Sequence, residues 1–325
     1  MMMEILDLVV SDTRQLTPLV RQITLRSVDG AALPAAQAGA HLKIAIPGLD
    51  EPRCYSLVLA GEESCTDDGP QQAYCLGVRL ESDSSGGSRF MHALKMGDRV
   101  QASVPRNDFP LQEHAGQAVL IAGGIGITPI LSMAVALRCA GRPFQTHYCA
   151  SSREHMAFLP ELQAVAGDGL VLHPADEPSG RLDLSQLMAS VPRDSHLYVC
   201  GPRRMLDALL EHGKELAWPA CQLHFELFET ATPQEGDQAF EIELRQSGMV
   251  LQVPADRTIA DVLEEAGCDP MYDCKRGECG VCSVDVLDGT PDHRDYFLSD
   301  SEKAAGKVIQ ICISRSKSPR LVLDL

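Results

Sequence analysis

Short apolar–polar alternations dominate the first hundred residues. Residues 4–10, 19–28, 41–46, 54–60 and 74–80 are β-rich runs broken by Gly, Pro or Asp, with no long amphipathic helix between them. That pattern predicts an antiparallel barrel. The periodicity then changes. Residues 118–122 are continuously apolar, as in a strand buried on both faces of a parallel sheet, and a helical stretch follows at 130–139. Strand-like runs recur at 146–150, His196–Cys200 and 225–228, with a further helical stretch after Pro202. Residues 230–237 are polar and carry Pro and Gly, which suits a linker. Beyond it come a hairpin-like pair at 240–245 and 249–253, a helix at 259–266 and a β-like run at 308–311. The expected fold class is multi-domain: an antiparallel β-barrel over 1–112, an α/β parallel-sheet domain over 113–229, the linker, and an α+β domain over 238–325.

Bulk properties narrow the class. A chain of 325 residues fits two or three domains. A net charge of −17 argues against nucleic acid or an anionic membrane as partner. The start, Met1-Met2-Met3-Glu4-Ile5-Leu6-Asp7, has no basic region leading into an apolar core, and no apolar run nears the roughly 18 residues of a membrane span. The twelve cysteines are therefore expected as reduced thiols and metal ligands in a cytoplasmic protein. Cys65, Cys75, Cys139, Cys149, Cys221 and Cys268 carry no motif and are expected as small buried hydrophobes.

The other cysteines carry chemistry. Cys274, Cys279 and Cys282 are spaced C-x4-C-x2-C, with Cys312 downstream at the end of the run 308–311. This is the plant-type [2Fe–2S] spacing. Gly277 and Gly280 allow the loop to wrap sulfur and turn its N–H groups toward negative charge. A four-cysteine zinc site would more usually pair two C-x-x-C knuckles, and only one is present.

Two further constellations suit phosphate-bearing ligands. Arg53-Cys54-Tyr55-Ser56 lies on a strand, with Arg53 and Tyr55 on one face and Cys54 and Ser56 on the other. Ser85-Gly86-Gly87-Ser88 opens a short helix, whose free N–H groups make a phosphate seat; an ordinary N-cap at Ser88 is the plainer reading. The strand 118–122 runs into Gly123-Gly124-Ile125-Gly126-Ile127-Thr128-Pro129, where glycines let a pyrophosphate approach the backbone. Ligands of open α/β sheets gather outside the carboxyl ends of strands. Gly124–Thr128, Ser151-Ser152-Arg153 and Cys200-Gly201-Pro202 should therefore converge, although Cys200 also suits a plain core position. A 2′-phosphate calls for clustered Arg or Lys near the end of the second strand. Arg153 stands there alone, with acid at Glu154, Asp176 and Glu177, which favours NADH over NADPH.

Together these motifs resemble the ferredoxin-reductase superfamily. The order of flavin barrel, nucleotide domain and plant-type ferredoxin, covering essentially the whole chain, is similar to the phthalate dioxygenase reductase and vanillate O-demethylase reductase family. The ending from Asp292-His293-Arg294-Asp295 through Cys312-Ile313-Ser314-Arg315 is especially similar to the phthalate enzyme. The resemblance implies a β-grasp ferredoxin domain, FMN, NADH as donor and a Rieske-type oxygenase as acceptor. It implies that Arg53, Cys54, Tyr55, Ser56, Gly77, Val78, Gly86, Gly87, Ser88 and Thr128 contact flavin, with Ser56 near N5. It likewise implies that Gly123, Gly124, Gly126, Ser152, Arg153, Cys200, Gly201 and Pro202 hold nucleotide, with Cys200 beside the nicotinamide. Phe225 would stack on the flavin, next to Glu226. Two rivals are a reductase for another acceptor, such as a P450-type monooxygenase, and a redox-sensing subunit.

Overall fold

The computed structural model describes residues 5–49, 51–60, 70–82, 84, 86–178, 180–228 and 233–325. The chain divides into two compact units, Met1–Glu226 and Leu227–Leu325. Among the described residues no helix is long and apolar enough to cross a membrane.

The first unit carries two sheets. Strands β1 (Ile5–Gln15), β2 (Val20–Ser27), β3 (His41–Ile44), β4 (Arg53–Ser56), β5 (Tyr74–Arg79) and β6 (Arg99–Ser103) form an antiparallel sheet ordered β4-β3-β6-β1-β2-β5. Every second residue of its strands points inward: Leu8 and Val10, Ile23 and Leu25, Leu42 and Ile44, and Leu76 and Val78 are all buried in one core. Helix α1 (Gly87–Ala93) adds Met91 to that core.

Next come β7 (Ala118–Gly123), α2 (Ile127–Cys139), β8 (Phe144–Ala150), α3 (Leu159–Ala166), β9 (Leu170–Pro174), α4 (Leu184–Ser190), β10 (His196–Cys200), α5 (Arg203–Glu215) and β11 (Leu223–Glu226). The strands form a parallel sheet ordered β11-β10-β7-β8-β9, and every residue of β7 is buried. Helix α2 is apolar almost all round because it lies between the two sheets. Its Ile130, Met133 and Leu137 share a core with Val20, Val58 and Phe109. Ser132 Oγ ties the join, donating to the Leu57 carbonyl at 2.8 Å and accepting the Leu59 N–H at 2.9 Å.

The second unit contains β12 (Phe240–Leu244), β13 (Val250–Val253), α6 (Ile259–Glu265), β14 (Ser283–Asp288), β15 (Pro291–Asp292), α7 (Asp300–Ala305), β16 (Val308–Gln310), β17 (Arg315–Ser316) and β18 (Arg320–Leu323). Five strands make a mixed sheet ordered β13-β12-β18-β14-β16, and β15 pairs with β17. Capping boxes start both helices, Thr258 with Asp261 and Ser299 with Glu302.

Three expectations are corrected. Residues 225–228 are not one strand: β11 ends at Glu226, and the second unit begins at the next residue. Of the linker expected at 230–237, residues 230–232 lie outside the described residues. The Asp237 carboxylate takes two guanidinium N–H groups of Arg294 and lies 3.8 Å from Arg315 Nε. Cys221 and Cys139 are exposed rather than buried, the first in a surface turn and the second at the end of α2. Cys139 is also disulfide-bonded, contrary to the expectation of reduced thiols; Cys65 lies outside the described residues.

Candidate functional site

The carboxyl edge of the parallel sheet is level because its strands are in register. Cys200 at the end of β10 sits opposite Ala122 on β7 and Glu226 on β11, while Gly123 sits opposite Cys149 on β8. The loops leaving β7 and β10 then touch. A Cβ on Gly126 would fall 2.1 Å from the Cys200 carbonyl oxygen, and one on Gly123 would fall 2.7 Å from Pro202 Cδ. Only glycine permits this approach at the start of α2. Thr128 Oγ1 donates to the Ile125 carbonyl at 3.0 Å and locks the single 3₁₀ turn Gly124–Gly126 into the helix. Gly123, Gly126, Cys200, Gly201 and Pro202 are thereby brought together. Ser152 and Arg153 sit one strand over, beyond the end of β8, and Phe225 is half-buried on β11.

The antiparallel sheet meets this edge. A Cβ on Gly77 of β5 would lie 2.8 Å from Thr128 Cγ2 and 2.7 Å from the Phe158 ring, so β5 and the start of α2 are in direct contact. At the other side of the sheet, a Cβ on Gly87 would lie 2.9 Å from Arg53 Cγ and 3.3 Å from Tyr55 Oη. The shared face of Arg53 and Tyr55 is thus packed against the N-terminus of α1. Ser56 is buried and Cys54 exposed. Burial pushes the Tyr55 hydroxyl up to about 12, against the opposing pull of Arg53. The cap of α1 is Gly86, not Ser88, and the Ser88 hydroxyl instead accepts the Glu81 N–H at 3.1 Å. Ser85 lies outside the described residues.

In the second unit, the Cys274 thiol is hydrogen-bonded with Cys279 and Cys312, and Cys282 with Cys312. Those two neighbours, with the N–H groups of Arg276 and Glu278, hold Cys274 far below the ordinary thiol range. The contact with Cys274 pushes Cys279 upward, and the contacts with Cys274 and Cys282 do the same to Cys312. Gly277, at φ 77°, closes the loop where a Cβ would fall 2.8 Å from Ile313 Cγ2 and 3.0 Å from Asp295 Cα. Among the described residues no three His, Cys, Asp or Glu surround a single metal-ion position. A diiron cluster divides four thiolates between two irons and asks for a wider set. Four adjoining sulfurs fringed by inward N–H groups fit that requirement.

Several contributors escaped the sequence reading. Arg276 and Glu278, inside the cysteine loop, both bind the main chain of Leu227. Gln310 is fully buried with its amide 3.2 Å from Cys282 Sγ. Phe158 holds φ 56° and packs on Gly77. No spacing rule marks any of them. Within 292–295, Asp295 accepts the Leu298 N–H at 2.8 Å, while Arg294 donates to Asp292 and Asp237.

Comparison with known proteins agrees with this geometry. Residues 242–317 match the 2Fe-2S iron-sulfur cluster binding domain family, and residues 120–211 match the oxidoreductase NAD-binding domain family. The chain is 40% identical to vanillate O-demethylase oxidoreductase of Pseudomonas sp. over 98% of its own length and 100% of that protein's. Among solved structures it resembles phthalate dioxygenase reductase, described as modular for electron transfer from pyridine nucleotides to [2Fe-2S]. The TM-score is 0.71 at 35% identity, covering 99% of this chain and 98% of the other. It also resembles part of an intact type IV self-sufficient cytochrome P450 monooxygenase, with TM-score 0.73 and 36% identity over 99% of this chain and 41% of the other.

Proposed function

Because the chain belongs to the family of NAD-dependent iron–sulfur oxidoreductases that includes vanillate O-demethylase oxidoreductase and phthalate dioxygenase reductase, we propose that it is the cytoplasmic reductase component of a Rieske-type oxygenase system. It would carry electrons from NADH through FMN and a [2Fe–2S] cluster to that oxygenase. The observation that carries this reading is the contact of Gly77 with Thr128, which sets the face expected to hold flavin against the mouth of the nucleotide edge. A sensing subunit has no use for that contact; a hydride donor and acceptor must meet there.

The proposed functional division is 1–112 for FMN, 113–229 for nucleotide, 230–237 as linker and 238–325 for the cluster. When bound, FMN takes electrons as a hydride pair and the cluster passes them singly, at potentials near roughly −400 mV for plant-type centres. Arg53, with the N–H groups at Gly86, Gly87 and Ser88, would hold the flavin phosphate by charge-assisted hydrogen bonds. Tyr55 would pack on the ring, and the buried Ser56 hydroxyl would lie near its N5. Gly123, Gly124 and Gly126 would receive the pyrophosphate of NADH on bare backbone. Cys200, Gly201 and Pro202 would orient the nicotinamide, and Phe225 would cover the ring until it arrives. Cys274, Cys279, Cys282 and Cys312 would ligate the irons, while Gly277 keeps the loop tight enough for its N–H groups to face sulfur.

Adding NADH anaerobically to the purified chain tests the reading. Bleaching of both flavin and iron–sulfur absorbance is expected, and unchanged spectra would refute it. A P450 acceptor is the second reading, favoured by the likeness to one segment of the self-sufficient P450. The near-complete coverage of both reductases favours a separate oxygenase instead. Reconstitution with each class of acceptor separates the two.

A further inference from the structure

Strands β8 and β9 are paired with Ala150 opposite Pro174, so their carboxyl ends are level. Three residues beyond each end, the two loops meet. Arg153 Nε donates to Glu177 Oε1 at 2.6 Å, and Arg153 Nη2 to Glu177 Oε2 at 3.3 Å. The Ala175 N–H donates to the Ala150 carbonyl at 2.9 Å and the Glu177 N–H to the Pro174 carbonyl at 3.1 Å, so the backbone aims both side chains at one spot. Opposite Arg153, the Ser152 hydroxyl and His155 Nδ1 are 2.7 Å apart.

This spot has a defined place in the nucleotide edge. The pyrophosphate is expected at the glycines after β7, and β8 is the next strand in the sheet. The adenosine ribose of a dinucleotide is read just there, where a carboxylate accepts from a free 2′-hydroxyl and a guanidinium takes a 2′-phosphate. Arg153 offers the guanidinium, but one edge of its fork is already committed to Glu177. Asp176 and Glu154 flank the pair in the chain, so the local charge is negative. A 2′-phosphate carries about −1.5 to −2 charge near pH 7. It would have to displace a carboxylate and then sit among others.

We propose that Glu177 is the residue that makes this chain select NADH, by holding Arg153 in a bidentate pair and denying it to a 2′-phosphate. The inference rests on the NADH-reductase reading above. Glu177 turns a position that could read NADPH into one that rejects it, and Arg153 remains a latent phosphate ligand. The pair is exposed, with side chains 55% and 42% accessible, so a nucleotide can reach both groups.

The test is kcat/KM for NADH and NADPH, with ferricyanide as acceptor, in the intact holoprotein and in Glu177→Gln, Arg153→Ala and the double variant. Glu177→Gln should raise the NADPH/NADH ratio by about tenfold or more, the scale of one new charge-assisted hydrogen bond to the phosphate. That rise should disappear in the double variant. An unchanged ratio in Glu177→Gln would overturn the proposal. So would a rise that persists without Arg153, because the carboxylate would then act by its own charge. A wild-type protein that NADH does not reduce would overturn the functional reading, and this proposal with it. Reduction by NADH with no change of ratio would overturn the proposal alone.

Discussion

Glu278 Oε1 accepts the backbone N–H of Leu227 at 2.7 Å, from the position just before the second cluster cysteine. Arg276, two residues earlier, donates to the carbonyl of the same Leu227, and its Nε lies 3.3 Å from Glu278 Oε2. Two opposite charges, both largely buried, therefore close on one peptide segment. A buried pair adds little net stability when intact, but losing one partner strands the other. Glu278→Ala is expected to destabilise the second unit by about 3 kcal/mol. Denaturant titration followed by iron–sulfur absorbance measures this, and a change within experimental error would contradict the clamp.

Gly277 gives a second expectation. An alanine there meets Ile313 Cγ2 and the Asp295 backbone, at a φ of 77° that disfavours any side chain. Gly277→Ala should lower the iron and acid-labile sulfide recovered per chain below about two of each, the content of this cluster type. Flavin content should be untouched. Full cluster occupancy in the variant would show that the loop tolerates a wider path.

Arg53 governs flavin retention in this account. Its alanine variant loses a charge-assisted phosphate contact, so FMN affinity should fall roughly tenfold to a hundredfold. Added free FMN should restore NADH oxidation. Chromatography of the flavin released from wild-type protein checks the identity, and predominant FAD would refute FMN.

Acid should cost both units stability below the ordinary imidazole range, the second through His293, whose charged form burial disfavours, and the second unit further at lower pH. In the first, His196 Nδ1 lies 2.9 Å from His224 Nε2, and the His114 ring stacks on His196 with centroids 3.7 Å apart. His147 pairs with His173 at 3.0 Å. Burial, then the neighbouring imidazoles, pushes His114, His147 and His224 down to about 4. The unfolded chain takes up these protons first, so stability falls between pH about 6.5 and about 4. In the second unit, hydrogen bonds from Arg294 hold Asp237 down at about 2. Its contribution is present above pH about 4 and lost as pH falls toward 2. Hydrogen exchange against pH resolves the windows by segment. A first unit that keeps full protection down to pH about 4 would contradict this assignment.

Much of the fold was legible because its signals are local. Alternation in β1–β5, the continuous apolar run of β7 and the glycine loop after it all follow from burial and backbone geometry. Elements without such a signal were missed. Helix α7, DSEKAA, has no buried residue, so no periodicity marks it. Strands β9 and β14 are mostly exposed or half-exposed and were not expected. The cysteines and glycines of the site announced themselves by spacing. Arg276, Glu278 and Phe158 did not, since each acts through a partner far away in sequence, Leu227 or Gly77.

The central claim is that electrons enter at the nucleotide edge and reach the oxygenase only through the cysteine loop. Stopped-flow spectroscopy of Cys279→Ser mixed with NADH and then with the partner oxygenase tests it most directly. The fragment 1–226 serves as a second variant should the serine protein misfold. Both should reduce bound flavin at the wild-type rate and pass electrons to ferricyanide, while delivery to the oxygenase collapses to background. Full delivery to the oxygenase by either protein would contradict the account.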